Sequence, residues 1–202
     1  KTEIRGAENI PENGGFIICA NHVSKIDFLF ISLALSKERY MKLCCMAKKE
    51  LFRNDPFSRK LIKSAGMVPV DRGGMNSSSM ENIKKRLKEN WGVIIHPEGT
   101  RSEDGVFRKI KNGASTLAIE TGAPIIPAYV DGAYNIFPKS GKMPKFYDWK
   151  HHKKFRLSVT FGKPISPDGL TTEELTAEIE RAISVLQDEN STLPQFQSHS
   201  AE

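Results

Sequence analysis

The chain has 202 residues, 39% of them hydrophobic and 27% charged, which is enough apolar material for one compact core and excludes a disordered chain. Lys and Arg outnumber Asp and Glu by 30 to 24, and the net charge of +6 favours partners that carry phosphate: an anionic membrane surface, a phosphorylated small molecule or nucleic acid. No apolar run approaches the ~20 residues that span a bilayer, and aromatic residues at 8% are too sparse for the stacking platforms of a nucleic-acid binder.

Taken in order, the chain alternates strands and helices, the pattern of a single α/β domain. Gly15 to Ala20 reads as a buried strand, Ile26 to Leu35 as a helix and Met41 to Ala47 as a second strand. Asn54-Asp55-Pro56 starts a helix that runs to Ser64, and Met67 to Val70 is a short strand ending in Asp71-Arg72-Gly73-Gly74. Ser78 and Glu81 form a capping-box pair for a helix to about Asn90, and Gly92 to His96 is an apolar strand. Asn112 opens a helix that Gly122 closes, and Ile125 to Val130 is another strand. Phe155 to Phe161 alternates as a half-exposed strand does. Thr171 and Glu174 cap a last helix with Leu175, Ile179, Ala182, Ile183 and Leu186 as its apolar stripe. The domain is expected over residues 1–189, with 190–202 a flexible tail or linker.

Three cysteines, Cys19, Cys44 and Cys45, are odd in number, partly adjacent and set in apolar stretches, which argues for a reducing compartment over a disulfide framework. No metal-ligand spacing occurs, and His151 and His152 sit in a Lys-rich run that reads as solvated. The chain begins at Lys1, not Met, with no signal-peptide pattern, so it is expected to be a piece of something longer, with room upstream for a membrane anchor or a second domain.

Chemistry concentrates at three strand ends. In open α/β sheets ligands bind beyond the carboxyl ends of strands. Asn21-His22-Val23-Ser24-Lys25-Ile26-Asp27 places a histidine and an aspartate with four residues between them. The simplest reading is local: Ser24 caps a helix and Asp27 bonds back to the Ser24 N–H. The functional reading has Asp27 hold the His22 Nδ1–H, leaving Nε2 to take a proton from a hydroxyl. Ser24 as a nucleophile would make a hydrolase, but no Gly-x-Ser-x-Gly elbow surrounds it. Pro97-Glu98-Gly99-Thr100-Arg101-Ser102 offers a tight turn, a carboxylate and a guanidinium fork suited to phosphate, or merely a surface turn with an internal ion pair. Arg72 supplies a second cation, and Lys109 and Lys111 follow the third cluster, where they either close over an anion or decorate a basic loop.

Four segments in order resemble the glycerophospholipid acyltransferase family: Asn21 to Asp27, Gly66 to Arg72, Pro97 to Ser102 and Ala123 to Ala128. The resemblance covers roughly residues 4–165 and implies a mixed, largely parallel sheet flanked by helices. It implies an O-acyltransferase that moves a fatty acyl group from an acyl-CoA or acyl-carrier-protein thioester to the free hydroxyl of a lysophospholipid. The acceptor would be 1-acylglycerol 3-phosphate and the product phosphatidate. His22 would be the general base and Asp27 its orienter. Arg72 and Arg101 would bind the acceptor phosphate, Glu98 and Gly99 would position the glycerol backbone, Thr100 would be a further substrate-binding residue, and Pro127 would shape the pocket wall. No metal or cofactor is implied. His96 departs from the family, which usually carries Phe there. Phe28, Leu29, Phe30, Leu51, Phe52 and Phe57 are candidates to line an acyl groove, although plain core is the simpler role for most. The expected setting is the cytoplasmic face of a membrane, peripheral or anchored by a segment upstream of Lys1. The alternatives are the acyltransferase half of a lysophospholipid-recycling fusion with an acyl-activating ligase, and a non-catalytic module that binds anionic lipid.

Overall fold

The computed structural model describes residues 2–36, 40–48, 68–70, 77–141 and 143–191. Nine strands are described: β1 (Thr2–Arg5), β2 (Phe16–Ala20), β3 (Leu43–Lys48), β4 (Val68–Val70), β5 (Gly92–Ile95), β6 (Ile125–Asp131), β7 (Tyr147–Asp148), β8 (Lys153–Lys154) and β9 (Leu157–Phe161). The helices are α1 (Asp27–Ser32), α2 (Ser77–Lys88), α3 (Gly113–Thr121), α4 (Ala133–Ile136) and α5 (Thr172–Ser191). The expected Asn54–Ser64 helix, together with Leu51, Phe52, Phe57 and Arg72, lies outside the described residues.

Seven strands form one sheet in the order β1-β9-β6-β2-β5-β3-β4, and β7 and β8 make a separate hairpin. Among the described strands of the large sheet only the β6–β9 pairing is antiparallel, so the sheet is mixed and largely parallel, as expected. The central strands are apolar runs because both their faces are covered. Phe16-Ile17-Ile18-Cys19-Ala20 and Gly92-Val93-Ile94-Ile95 are buried throughout. One face packs Phe16, Ile18, Ile94, Ile126 and Val130 against Phe28, Phe30 and Ile31 of α1 and Ile136 of α4. The other packs Ile17, Val93 and Ile125 against Ile83 and Leu87 of α2, Leu117 of α3 and Leu175, Ile179 and Ile183 of α5. Each such side chain contributes about 1.5–3 kcal/mol by leaving water.

The predicted caps have mixed outcomes. Thr171 and Glu174 form the capping box: the Glu174 carboxylate accepts the Thr171 N–H at 2.9 Å, and the Thr171 hydroxyl accepts the Glu174 N–H at 3.2 Å. Gly122 closes α3 in the left-handed region, φ 69°, where a Cβ would be strained. α2 instead begins at Ser77, so Ser78 lies inside the helix, and Glu81 pairs with Lys84 at 2.8 Å. α1 is shorter than the predicted 26–35, and its N-cap is Ile26 rather than Ser24.

β9 departs most from expectation. Its alternation predicts a half-exposed strand, but all five residues are buried. Asn190 of α5 covers the polar face, accepting the Ser158 and Thr160 hydroxyls at 3.2 and 3.4 Å and donating to the Leu186 carbonyl at 2.6 Å. Cys19, Cys44 and Cys45 are free, buried thiols, and burial pushes Cys44 up to about 11 and Cys45 up to about 12. Among the described residues no helix is long and apolar enough to cross a membrane.

Candidate active site

β2, β5 and β6 run parallel, with Cys19 beside Ile95 on one side and Pro127 on the other. The loops that follow β2 and β5 therefore leave the same sheet edge side by side. β4 reaches that edge as well, through β3, and ends at Val70; Arg72 beyond it is outside the described residues. The structure thus brings the His22 and Glu98–Arg101 segments together.

The β2 loop is fixed from beneath. Asn21 is fully buried, donates to the Val130 carbonyl at 3.0 Å and accepts the Val130 N–H at 2.7 Å. Asp27 Oδ2 accepts three N–H groups at 2.9 Å each, from His22 Nδ1 and from the backbones of Val23 and Ser24. Because this oxygen already accepts two backbone N–H groups, the shared proton belongs to His22 Nδ1, and basicity resides at Nε2. Burial raises Asp27 to about 6, opposed by the nearby His96, the backbone N–H groups and the Arg101 charge. His22 keeps a quarter of its side chain open to solvent, while the Asp27 side chain is entirely enclosed.

Ser24 does not act as the cap or sit as a nucleophile. Its hydroxyl donates to the Phe137 carbonyl at 2.9 Å and accepts the Ile26 N–H at 3.3 Å. The back-bond from Asp27 to the Ser24 N–H does form, so half of the capping box serves to orient His22.

The β5 loop braces His22. Glu98 Oε1 accepts the His22 N–H at 2.8 Å, Oε2 accepts the Arg108 N–H at 3.2 Å, and the His22 carbonyl accepts the Ser102 N–H at 2.7 Å. Burial raises Glu98 to about 7. The Glu98 carboxylate, expected against a substrate hydroxyl, is thus hydrogen-bonded to backbone through both oxygens. His96 stacks on His22 with centroids 4.0 Å apart and planes 10° apart. Its Nδ1 contacts the Ala20 and Asn21 carbonyls at 3.1 and 3.0 Å. Both partners only accept, so His96 carries its proton on Nδ1, and desolvation lowers it to about 4, keeping it neutral. His96 is visible in the sequence as a departure from the resemblance, but its stack on His22 leaves no sequence signal.

His22, Asp27 and His96 also bring three ligand atoms within 4.8 Å of one another. The donor set does not suit a metal: a cation lies in the plane of each imidazole it binds, and stacked parallel rings cannot both satisfy that. Asp27 Oδ2 and His96 Nδ1 are moreover committed to hydrogen bonds.

Gly99 has φ 73°, and a Cβ there would stand 3.1 Å from Lys111 Nζ, so the turn needs glycine and carries the Lys111 ammonium over it. Thr100 is exposed. Arg101 Nη1 is out of solvent and has no hydrogen-bond partner among the described residues, which leaves a buried cationic donor with unused capacity there. Pro127 is not with this group. It sits inside β6 beside Cys19, and its carbonyl accepts the Gly162 N–H at 2.8 Å.

At the ends of its strands this α/β sheet holds a buried carboxylate–histidine pair and, on the adjoining loop, an arginine whose Nη1 has no hydrogen-bond partner among the described residues: groups able to accept a proton and to hold an anion. A family model described as Acyltransferase matches residues 1–131, and the chain belongs to that family. It is 32% identical over 163 residues to a 1-acyl-sn-glycerol-3-phosphate acyltransferase of Bacillus subtilis, covering 81% of this chain and 73% of that one. It is 30% identical over 142 residues to the protein of that name from Borreliella burgdorferi, covering 69% of this chain and 55% of that one. The crystal structure of the 1-acyl-sn-glycerophosphate (LPA) acyltransferase PlsC from Thermotoga maritima superposes with a TM-score of 0.73 at 26% identity, covering 95% of this chain and 73% of that one. The chain thus spans between about half and three quarters of these relatives.

Proposed function

We propose that this acyltransferase esterifies the free hydroxyl of 1-acylglycerol 3-phosphate with a fatty acyl group from a thioester, acyl-CoA or acyl carrier protein, giving phosphatidate. The observation that carries the reading is the pairing of a histidine whose tautomer is set by a buried carboxylate with an arginine that has an unpartnered buried nitrogen on the adjoining loop. The names of the relatives support the acceptor.

His22 Nε2 takes the proton of the acceptor hydroxyl as the oxygen attacks the thioester carbonyl. Asp27 stabilises the imidazolium that forms. The tetrahedral intermediate collapses with cleavage of the C–S bond, and the departing thiolate takes the proton from His22. The products are the ester and the free thiol, with no acyl-enzyme. Arg101, with Lys111 over Gly99, meets the acceptor phosphate, and Glu98 holds the two loops together.

Acyl transfer is measured by thiol release with lysophosphatidate and a long-chain thioester. His22→Gln should lower kcat by at least about 10³. Arg101→Ala should raise KM for the phosphorylated acceptor by about 10–100-fold and leave KM for the thioester unchanged. Activity retained in His22→Gln would refute the assigned base, and equal effects of Arg101→Ala on both substrates would refute the phosphate contact.

A further inference from the structure

The segment from Lys139 to Arg156, beyond α4, carries seven Lys or Arg residues and one acid, Asp148. That excess equals the +6 of the whole chain, so basic and acidic residues balance everywhere else. The same segment holds three of the five most exposed large apolar side chains among the described residues: Met143 at 75%, Phe146 at 57% and Trp149 at 79%. Charge excess and apolar exposure coincide in one strip.

The strip is built. Tyr147 pairs with Lys154 and Asp148 with Lys153 across the β7–β8 hairpin. At its tip the Asp148 carboxylate accepts the Lys150 and His151 N–H groups at 3.1 and 3.3 Å and meets His151 Nδ1 at 2.7 Å. The one acid of the strip is thereby engaged within the turn, and His151 holds it below the usual carboxylate range. Trp149 meets the Tyr147 ring edge-on at 4.8 Å and otherwise projects outward. Little ordering entropy remains to be lost when this turn meets a partner.

The strip is also fastened to the site. Ser24 Oγ donates to the Phe137 carbonyl at 2.9 Å, and Lys25 Nζ donates to the Gly141 carbonyl at 2.6 Å. Tyr134 donates to the Glu103 carbonyl at 2.6 Å, and Lys139 pairs with Glu103 at 2.8 Å. Both loops that carry the His22 and Arg101 side chains therefore touch its root.

Indole and phenyl rings settle at the headgroup level of a bilayer, and lysines around them meet anionic lipids. A protein partner fits poorly, because protein interfaces are depleted of lysine. We propose that the β7–β8 hairpin and its flanks dock this domain on an anionic phospholipid surface, with Trp149, Phe146 and Met143 among the headgroups. The corollary, that docking presents the His22 site to a lysolipid lying in the bilayer, rests on the function proposed above.

The 202-residue chain is floated with phosphatidylcholine vesicles, with and without phosphatidylglycerol, at low and high salt. The wild type should bind the anionic vesicles, leave them as salt rises and bind pure phosphatidylcholine weakly. Trp149→Ala with Phe146→Ala should weaken binding at least about tenfold, and Lys145→Gln and Lys150→Gln about fivefold each, with unchanged melting. Failure of the wild type to bind anionic vesicles, equal binding by the aromatic double variant, or preference for a single-stranded oligonucleotide over vesicles overturns the proposal. Flotation needs no catalysis, so it stands apart from the proposed reaction. In turnover, the double variant should be slowed on vesicle-embedded lysophosphatidate and not on a water-soluble short-chain acceptor; equal slowing on both would assign the hairpin to the site instead.

Discussion

Asp27→Asn separates a charge from a staple. Asp27 Oδ2 accepts three N–H groups at 2.9 Å, two of them from backbone, and an amide oxygen in its place can accept all three. The loop should survive. What disappears is the attraction between a carboxylate and the imidazolium that would form as His22 takes a proton in the proposed reaction. At a charge separation of ~4 Å and an effective dielectric constant of ~20 that attraction is about 4 kcal/mol. Lost from the transition state alone, it corresponds to roughly 10³ in rate. The expected result is kcat lower by about 10³ with both KM values little changed. Stability responds differently. Three charge-assisted hydrogen bonds become neutral ones, at a cost of about 1–2 kcal/mol. The variant also no longer buries an ionised group, which the fold disfavours, as the rise of Asp27 to about 6 indicates. These effects oppose each other, so the melting temperature should move by no more than about 2–4 °C. Thiol-release kinetics and thermal unfolding of the same preparation test both halves. A variant within tenfold of wild-type activity would make Asp27 a loop staple and refute the orienting role.

Two further substitutions probe the frame. Asn21→Ala strands the buried Val130 N–H and carbonyl, each now paired with the Asn21 amide, and should cost about 2–4 kcal/mol in urea unfolding; a loss below about 1 kcal/mol would contradict the clamp. His96→Phe keeps a ring on His22 but removes the donor to the Ala20 and Asn21 carbonyls, at about 1 kcal/mol near neutral pH. His96 is depressed from 6.5 to about 4, so the unfolded chain binds the extra proton in that window. The wild type therefore loses stability from this group as pH falls from 6.5 towards 4, and the variant does not. Glu98, raised to about 7, contributes in the opposite sense, lost as pH rises, and cancels because His96 does not act on it. Asp27, raised to about 6, has the same sense as Glu98, and since His96 opposes its rise, losing His96 lifts it further and favours the variant on the acid side, in the same direction. The stability gap should close or invert on acidification; a gap independent of pH would show that His96 is not held neutral by the fold.

How much of this was legible in the sequence depends on where the deciding partner lies. Strands such as Phe16-Ile17-Ile18-Cys19-Ala20 are read correctly because burial on both faces leaves an unbroken apolar run. The Thr171–Glu174 capping box is read correctly because both members are three residues apart. Ser24 is misread for the complementary reason: Ser-x-x-Asp has the local spacing of a cap, but its hydroxyl bonds Phe137, 113 residues away. β9 is misread because Asn190, 30 residues on, supplies the polar partner that solvent would otherwise supply. The His22–Asp27 contact spans five positions and could be inferred from spacing, whereas the stack of His96 on His22 follows only from the register of β2 against β5.

That register has a consequence for the acceptor. His22 is held by its N–H to Glu98, by its carbonyl to Ser102 and by its ring against His96, all on the loop that carries Arg101. His22 and Arg101 thus belong to one braced unit anchored where Cys19 lies beside Ile95. In a glycerol phosphate the free hydroxyl and the phosphate are separated by a fixed number of bonds, so catalysis by positioning needs a fixed span between the group that takes the proton and the group that holds the anion. Mounting both on paired parallel strands supplies that rigidity. In the proposed reaction Glu98, with its two oxygens on the backbones of His22 and Arg108, would act by maintaining the span.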